Sequence, residues 1–309
     1  MNATQEGFLQ PAHGYRTWYR VVGADEAPGR WPLLVLHGGP GGTHDYLEPL
    51  EALAAGGRRV VFYDQLGNGR SDHPHDPRLW TVGLFLDELR AVRQALGLRR
   101  VHLFGHSWGG MLALEYACTA PASLRSLIVA DAPGSMPHWL AEARRLRAAL
   151  PSAVQATLLA HEQAGTTDEP AYQLAALEFY RRHFCRLQPW PACLERSMQH
   201  LLDRPQVFHT MNGPTDFHVV GTLRSWSILD RLSEINERPT LLISGQHDEA
   251  TPAVVGAIQQ ALPGARWELF SESSHCPHLE EPARFLAVVE AFLASVERPP
   301  GAGACESAS

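Results

Sequence analysis

The segment from Val101 to Gly110 constrains the fold more than any other part of the chain. It begins with an apolar, β-prone run, passes through a Gly-x-Ser-x-Gly motif centred on Ser107, and leads into a helix-prone run. A strand and a helix that pass this close need small residues beside the turn, and Gly105 and Gly109 supply them. Because the motif is short, a glycine-rich turn with an incidental serine is the alternative. We interpret the segment as a nucleophile elbow that lifts the Ser107 hydroxyl into a cleft.

Buried strand patterns alternate with helical patterns on both sides of this turn. Short continuous apolar runs are typical of strands that are buried on both faces of a sheet. They lie at residues 33–36, 59–63, 127–130, 240–244 and 267–270. Segments with the period of an amphipathic helix separate several of them. The alternation predicts an α/β fold with a mostly parallel sheet flanked by helices.

This alternation stops in the middle of the chain, where helix-prone stretches divided by prolines and a loop replace the strands. The predicted helices are residues 139–150, 152–161 and 171–187. We interpret this region as a helical cap inserted into the α/β core. The predicted division is a core at 1–135 and 224–297, a cap at 136–223 and a disordered tail at 298–309.

Composition excludes several classes of protein. A net charge of −7 and a pI of about 6.1 provide no basic field for nucleic acid or an anionic membrane. No apolar run approaches the ~20 residues of a membrane span, and the first ten residues lack a signal-peptide pattern. The five cysteines are widely spaced and form no zinc-like cluster, so we expect reduced thiols in a cytoplasmic protein. The oligomeric state stays open.

Ser107, Asp248 and His275 each lie just past a predicted strand. A serine hydroxyl is a weak nucleophile until a base takes its proton, and a carboxylate orients that base. Parallel strands bring their carboxyl ends to one edge of a sheet, and the chain order Ser…Asp…His is that of the α/β-hydrolase fold. We therefore predict Ser107 as nucleophile, His275 as base and Asp248 as its orienting acid.

Other residues compete for two of these roles. Asp131 also follows a predicted strand and is the rival acid. The rival bases are His106, His247 and His278, each of which we interpret as a polar loop residue. Cys276 is adjacent to His275 in sequence, and we interpret it as a packing residue.

A glycine run directly follows the predicted strand at 33–36. Such a run lets backbone N–H groups face a ligand, although a flexible turn is the alternative. Beside the elbow, the N–H groups of Gly39 and Trp108 would form an oxyanion hole.

Four motifs together resemble the proline iminopeptidase family of α/β-hydrolases, in particular its branch of tricorn-interacting aminopeptidases and amino-acid amidases. They are His37-Gly38-Gly39-Pro40-Gly41, Asp64-Gln65-x-Gly-x-Gly-Arg70-Ser71, Gly105-His106-Ser107-Trp108-Gly109-Gly110 and Met211-Asn212-Gly213-Pro214. The likeness extends from about Tyr15 to Leu293. It implies cleavage of an N-terminal residue with a free amine, often proline or a small or hydrophobic residue, from a peptide or amide. It also implies that no metal or cofactor takes part.

The resemblance further implies that Asp216 and Glu249 hold the ammonium group of the substrate. Asp216 stands where a longer glutamate is common in the family, so a strict preference for proline does not follow. A unit charge at ~4 Å is worth about 4 kcal/mol at an effective dielectric constant of 20, enough to separate free from blocked amines. The alternative is a pair of solvated surface carboxylates.

The same predicted residues are compatible with three other functions. An esterase or lactonase would keep its activity on N-acylated substrates. A noncatalytic ligand receptor would not be labelled at Ser107 by a serine-directed probe. An amide hydrolase of natural-product biosynthesis would remove an aminoacyl protecting group from a nonpeptide amine.

Overall fold

One eight-stranded sheet organises the computed structural model, which describes residues 4–11, 14–24, 26–119, 121–235 and 237–297. The strand order is β1-β2-β4-β3-β5-β6-β7-β8. The strands are β1 (Thr4–Leu9), β2 (Thr17–Val22), β3 (Leu33–Leu36), β4 (Val60–Tyr63), β5 (Val101–His106), β6 (Leu124–Ala130), β7 (Thr240–Gly245) and β8 (Arg266–Phe270). Pairing is antiparallel between β1 and β2 and between β2 and β4, and parallel from β4 to β8. The sheet is thus mostly parallel, as the sequence predicts.

Ten α-helices accompany the sheet within the described ranges. They are α1 (Val82–Ala95), α2 (Trp108–Cys118), α3 (Met136–Ala148), α4 (Ser152–Ala164), α5 (Pro170–His183), α6 (Ala192–Asp203), α7 (Gln206–Met211), α8 (Pro252–Ala261), α9 (Pro277–Glu280) and α10 (Pro282–Glu297). Four 3₁₀ helices occupy His44–Gly56, Pro77–Leu79, Thr222–Ser225 and Leu229–Ile235. None of the helices in these ranges combines the length and the apolar character needed to cross a membrane. The cytoplasmic location stays a prediction.

Both faces of the central strands are buried, which explains their continuous apolar sequences. Leu34 and Leu103 pack on one face with residues of α1, α2 and α8. Leu33 and Phe104 pack on the other face, where Phe285 of α10 joins them. The helices on the two faces hold the carboxyl ends of the parallel strands in a fixed arrangement, and the predicted catalytic residues all follow such ends.

Five helices, α3 to α7, separate β6 from β7. Tyr180 of α5 and Ser197 of α6 line the same cavity as Ser107, so this helical stretch covers the carboxyl edge of the sheet. The predicted domain boundaries at 136 and 223 remain predictions, and the predicted tail at 298–309 lies outside the described residues.

Several elements escape the sequence pattern. β1 is a mostly exposed edge strand that pairs only with β2, so it lacks a buried apolar run. The 3₁₀ helix at His44–Gly56 carries Pro49 inside it, which masks its helical character. α6 and α7 follow a proline-rich segment and lie within the predicted cap, although the predicted helices end at residue 187.

A buried ionic cluster ties α10 to the amino-terminal edge of the sheet. The fully buried Arg58 lies 2.6 Å from Glu297 Oε1 and 2.9 Å from Glu290 Oε1, measured from its two Nη atoms. Glu297 also contacts Arg30 Nη1 at 2.6 Å and His102 Nε2 at 3.2 Å. Burial opposes ionisation of Glu297, but the hydrogen bonds from His102 and Arg30 outweigh it and lower the pKa of this carboxyl to about 2.

We expect Glu297→Gln to lower the free energy of unfolding at neutral pH by about 2 kcal/mol, the range for hydrogen bonds to a charged group. The folded-state pKa of Glu297 lies below its ordinary value, so its contribution is present above that value and disappears as the pH falls through about 2. Urea unfolding of wild type and variant across this range measures the difference. Glu290→Gln, at the more exposed partner, is the control and should cost less. Equal stabilities of wild type and Glu297→Gln at neutral pH would contradict the prediction.

Candidate active site

The chain turns sharply between β5 and α2, and Ser107 stands at the apex. Its backbone has φ 55° and ψ −122°, a strained conformation for a residue with a side chain. A Cβ at Gly105 would lie 2.1 Å from Gly109 O, and a Cβ at Gly109 would lie 2.3 Å from Leu36 O. Only glycine fits at both positions, so these residues permit the strained turn that the sequence predicts.

His275 and Asp248 form a buried pair at the same edge of the sheet. His275 Nδ1 donates to Asp248 Oδ1 at 2.6 Å, and the same oxygen accepts the Ala250 N–H at 2.8 Å. A neutral His275 therefore carries its proton on Nδ1 and keeps the Nε2 lone pair for a proton from a nucleophile.

Ser107 and His275 line one cavity. The hydrogen bonds of the described ranges do not include one between Ser107 Oγ and His275 Nε2. Catalytic hydrogen bonds are often long in an unliganded site and tighten when substrate binds. The three predicted catalytic residues thus lie at one site, where Ser107 and His275 are not hydrogen-bonded to each other.

The rival bases lie elsewhere in the hydrogen-bond network. The interpretation of His106 and His278 as loop residues is wrong, because His106 ends β5, His278 lies in α9, and both are buried. Burial lowers the pKa of His278 to about 3, and its Nε2 bonds to the Tyr46 carbonyl at 3.2 Å. His247 is exposed on the loop after β7. Compared with these three histidines, His275 is the one whose ring is hydrogen-bonded to the carboxylate of Asp248.

The predicted oxyanion loop lies against the elbow. A Cβ at Gly38 would come within 3.0 Å of Ser107 Cβ, and Gly39 has φ 119°, which favours glycine. Trp108 is the first residue of α2, so its N–H has no partner within the helix. Gly39, Ser107 and Trp108 line a small cavity together. Gly39 and Trp108 therefore lie beside the nucleophile.

A network of buried side chains joins the oxyanion loop, the elbow and the base. The Gly38 N–H donates to the Tyr46 hydroxyl at 2.7 Å, and that hydroxyl donates to His106 Nδ1 at 2.9 Å. His106 Nε2 donates to the His275 carbonyl at 2.7 Å. Burial lowers the pKa of His106 well below its usual value, which keeps the ring neutral. Sequence reasoning missed Tyr46, which no motif marks.

The loop after β4 supports this site. Asp64 accepts the backbone N–H of Arg70 at 2.9 Å and lies 3.6 Å from its guanidinium. Gln65 accepts the indole N–H of Trp108 at 2.8 Å and donates to the His37 carbonyl at 3.0 Å. The loop therefore fixes the two segments that carry the predicted oxyanion hole.

Two acids, Asp216 and Glu249, face the cavity that contains Ser107. Glu249 is 2% exposed, and its Oε2 atom has no hydrogen-bond partner. Asp216 is half-buried, and its backbone N–H donates to the Tyr180 hydroxyl at 3.4 Å. The alternative of two solvated surface carboxylates is therefore wrong. Tyr180 carries no sequence signal and was missed.

The acids influence each other. Burial raises the pKa of Asp216 to about 6. Burial, followed by the charges of Asp216 and Asp248, raises the pKa of Glu249 well above its usual value. Within the described part of the chain, no arginine pairs with either group, and the nearest ionisable nitrogen to Glu249 is His275 Nε2 at 3.8 Å. The cavity thus offers two acids without an arginine beside them.

One group of described side chains has the spacing to hold a metal ion, namely His44, Asp45 and Glu48. Arg196 contacts Asp45 at 3.2 Å and Glu48 at 2.5 Å, and His44 Nδ1 bonds to Asp64 at 2.8 Å. Arg196 therefore pairs with both carboxylates of this group. The absence of a metal or cofactor from the reaction stays a prediction.

Comparison with known proteins places this chain in a family. Residues 32–282 match the alpha/beta hydrolase fold family. A proline iminopeptidase of Heyndrickxia coagulans is 38% identical over 292 residues, which is 94% of this chain and 99% of that protein. The crystal structure of VinJ superposes with a TM-score of 0.91 at 49% identity and covers 94% of this chain and 99% of VinJ. That of proline iminopeptidase from Mycobacterium smegmatis gives a TM-score of 0.87 at 45% identity and covers 95% and 99%.

These similarities extend over nearly the whole chain, so they include the sheet and the inserted helices alike. The predicted fold class, an α/β-hydrolase sheet with a helical cap, is confirmed. The predicted enzyme class is confirmed as well, because these relatives of similar length are named proline iminopeptidase. The chain belongs to the proline iminopeptidase family of α/β-hydrolases.

Proposed function

We propose that the enzyme cleaves an N-terminal aminoacyl residue with a free amine from a peptide or amide through an acyl-enzyme. The acids Asp216 and Glu249, which line the cavity of Ser107 without a paired arginine in the described ranges, carry this proposal. An ammonium group would supply the missing positive charge. The relatives named proline iminopeptidase support the same reaction class.

The proposed chemistry follows from the groups around the cavity. Ser107 Oγ attacks the carbonyl carbon of the N-terminal residue while His275 Nε2 accepts the hydroxyl proton. The amide C–N bond then breaks, and His275 returns the proton to the leaving amine. Asp248 holds His275 through Nδ1. Water hydrolyses the ester in a second round that uses the same base.

The oxygen of the tetrahedral intermediate needs donors, since its negative charge develops away from any side-chain cation. We assign this role to the N–H groups of Gly39 and Trp108. Both lie at the cavity that contains Ser107. Asp216 from the cap region and Glu249 from the loop after β7 would hold the ammonium group from two sides.

A panel of aminoacyl anilides with Pro, Ala, Leu and Phe tests the proposal. Each is measured with a free and with an N-acetylated amine. We expect turnover of the free amines and little turnover of the acetylated ones. Equal turnover of both sets would favour an esterase or general acylase. The order among the four residues reports the acyl preference, which the family likeness leaves open.

Amine binding should depend on pH through Asp216. Because its pKa is raised to about 6, Asp216 is protonated and neutral below that pH and charged above it. We expect the affinity of alaninamide, as a competitive inhibitor, to increase from about pH 5 to about pH 7, with proton release on binding. Above about pH 8 the amine itself loses its charge, and affinity falls.

Calorimetry in two buffers of different ionisation enthalpy measures the released protons. N-acetylalaninamide is the control, since it has no ammonium and should release none. We choose a binding measurement because turnover would also require a neutral His275. An affinity for alaninamide that is flat across this pH range would contradict the role of Asp216.

A second candidate is removal of an aminoacyl group from a nonpeptide amine. The observation that favours it is an apolar wall of the cavity, formed by Leu194, Met198, Leu201 and Leu202 of α6 and by Phe208 of α7. Such a wall suits an apolar leaving group. Comparing kcat/KM for alanyl octylamide and for alanylglycine amide distinguishes the two. A preference for the dipeptide amide would reject this candidate.

A further inference from the structure

Two buried carboxyl groups, those of Asp131 and Asp248, follow neighbouring strands on the side of His275 that carries Nδ1. Asp131 directly follows β6 and Asp248 follows the neighbouring β7. Both are fully buried, and Asp248 is among the groups that raise the pKa of Asp131. Among the described residues, the Oδ2 atom of each has no hydrogen-bond partner from a nitrogen or a hydroxyl group. A hydrogen bond between the two acids would satisfy both atoms, and it requires a proton on one of the acids because an ionised carboxylate is only an acceptor.

The surroundings decide which acid holds the proton. Asp248 accepts hydrogen bonds from His275 Nδ1 and the Ala250 N–H, at 2.6 and 2.8 Å, as an ionised group does. Asp131 accepts only the Gly245 N–H at 3.2 Å. Its nearest ring nitrogen, His106 Nε2, is 3.7 Å away and already donates to the His275 carbonyl. Burial and then the charge of Asp248 raise the pKa of Asp131 well above its usual value.

The backbone at Asp131 is also unusual. Its φ is 54°, and among the described non-glycine residues only Ser107 shares a positive φ. Aspartate tolerates this conformation better than most residues, but it is still rare. The Asp131 N–H donates to the Ile243 carbonyl at 2.8 Å, which fixes the strained residue against β7. The strained residue therefore lies against β7, the strand that leads to Asp248.

We propose that Asp131 is a positioning residue, whose neutral carboxyl group donates its proton in a hydrogen bond to Asp248 Oδ2. This inference rests on the proposed function. The hydrogen bond holds the Asp248 carboxylate in the plane of His275 and spreads part of its negative charge over a second group. Asp131 thereby limits how strongly Asp248 stabilises the protonated ring, so that His275 remains available as a base.

Other titratable groups face this pair of acids and stay the same in the variants below. They are Tyr46 from its 3₁₀ helix, His106 from β5, His183 from α5, Glu249 from the loop after β7, and His275, Cys276 and Glu280 from the segment after β8. A change between variants therefore reports the group at position 131.

Two substitutions at position 131 distinguish the effect of losing the hydrogen-bond donor from the effect of changing the charge. Asp131→Asn keeps an oxygen for the Gly245 N–H, offers an amide N–H to Asp248 and tolerates positive φ. We expect its kcat to stay within about threefold of wild type, with an unchanged acid limb of the pH profile. Asp131→Gly tolerates the backbone conformation but has no donor.

For Asp131→Gly we expect kcat to fall by about tenfold or more with little change in KM, less than the ~10⁴-fold effect of neutralising a triad carboxylate. The acid limb should move to higher pH, because an Asp248 without its donor stabilises protonated His275 more strongly.

If Asp131 were ionised, the acid limb of the pH profile would shift in the opposite direction. Asp131→Asn would then remove a negative charge near His275, and the acid limb would move to lower pH by about half a unit or more. Equal losses of kcat in both variants, with unmoved acid limbs, would also overturn the proposal in favour of a purely structural role.

Infrared spectroscopy of the wild type provides a readout that needs no catalysis. We expect the carbonyl stretch of a protonated, buried carboxyl group at neutral pH, and its loss in Asp131→Asn. Absence of that band from the wild type would overturn the proposal. Failure of the proposed function would appear differently, as activity that survives loss of the Ser107 hydroxyl.

Discussion

Ser107→Ala should lower kcat toward aminoacyl anilides by about 10³-fold or more while the protein remains folded. The variant lacks the hydroxyl that we propose forms the acyl-enzyme, although the proposed oxyanion donors and the proposed ammonium site persist. Substrate should still bind, because Asp216 and Glu249 are untouched. The loss should therefore appear in kcat far more than in KM.

Steady-state kinetics and a thermal melt of the purified variant make this measurement. Ser152→Ala, at an exposed serine that begins α4, is the matched control and should behave as wild type. A fluorophosphonate probe should label wild type and this control but not Ser107→Ala. Near wild-type turnover by folded Ser107→Ala would reject the elbow, and an unlabelled wild type would favour a noncatalytic receptor. EDTA should leave turnover unchanged, and a loss restored by metal would reject the metal-free mechanism.

The sheet and the elbow are visible in the sequence because their physical constraints are local. A strand buried on both faces must be apolar throughout, and β3, β4 and β7 are. The elbow excludes any side chain at Gly105 and Gly109, which marks the turn. The exposed edge strand β1 obeys neither constraint, and for that reason sequence reasoning passed over it.

The candidate site is less visible because its properties come from packing. The chain order pointed to Asp248 over Asp131 as the partner of His275, and the geometry agrees with it. No pattern in the chain could bring Asp131 and Asp248 together, since 116 residues lie between them in the sequence and their strands meet only in the fold. Tyr180 likewise reaches Asp216 through the packing of α5.

The charge of Asp216 and Glu249 should matter for amines alone. Asp216→Asn and Glu249→Gln keep shape and remove charge, so each should lower kcat/KM toward a free-amine anilide by about 1–3 kcal/mol, the range for a charge-assisted hydrogen bond. An aryl acetate has no ammonium group, and its hydrolysis should change little. Glu178→Gln, on the outer side of α5 beside Arg182, is the control for removing a carboxylate from the cap region.

The double variant should lose more than the two single variants together. The pKa of Glu249 is raised in part by the charge of Asp216, so Asp216→Asn allows Glu249 to ionise more readily and to compensate. Neither acid can do so once both are neutral, and the loss should then exceed about 3 kcal/mol. Thermal stability separates this from a structural role: buried like charges without a counterion oppose folding, so the neutral variants should melt no lower than wild type. Equal losses toward anilide and acetate, with a lower melting temperature, would mean that the two carboxylates support the fold and that the free amine is recognised elsewhere.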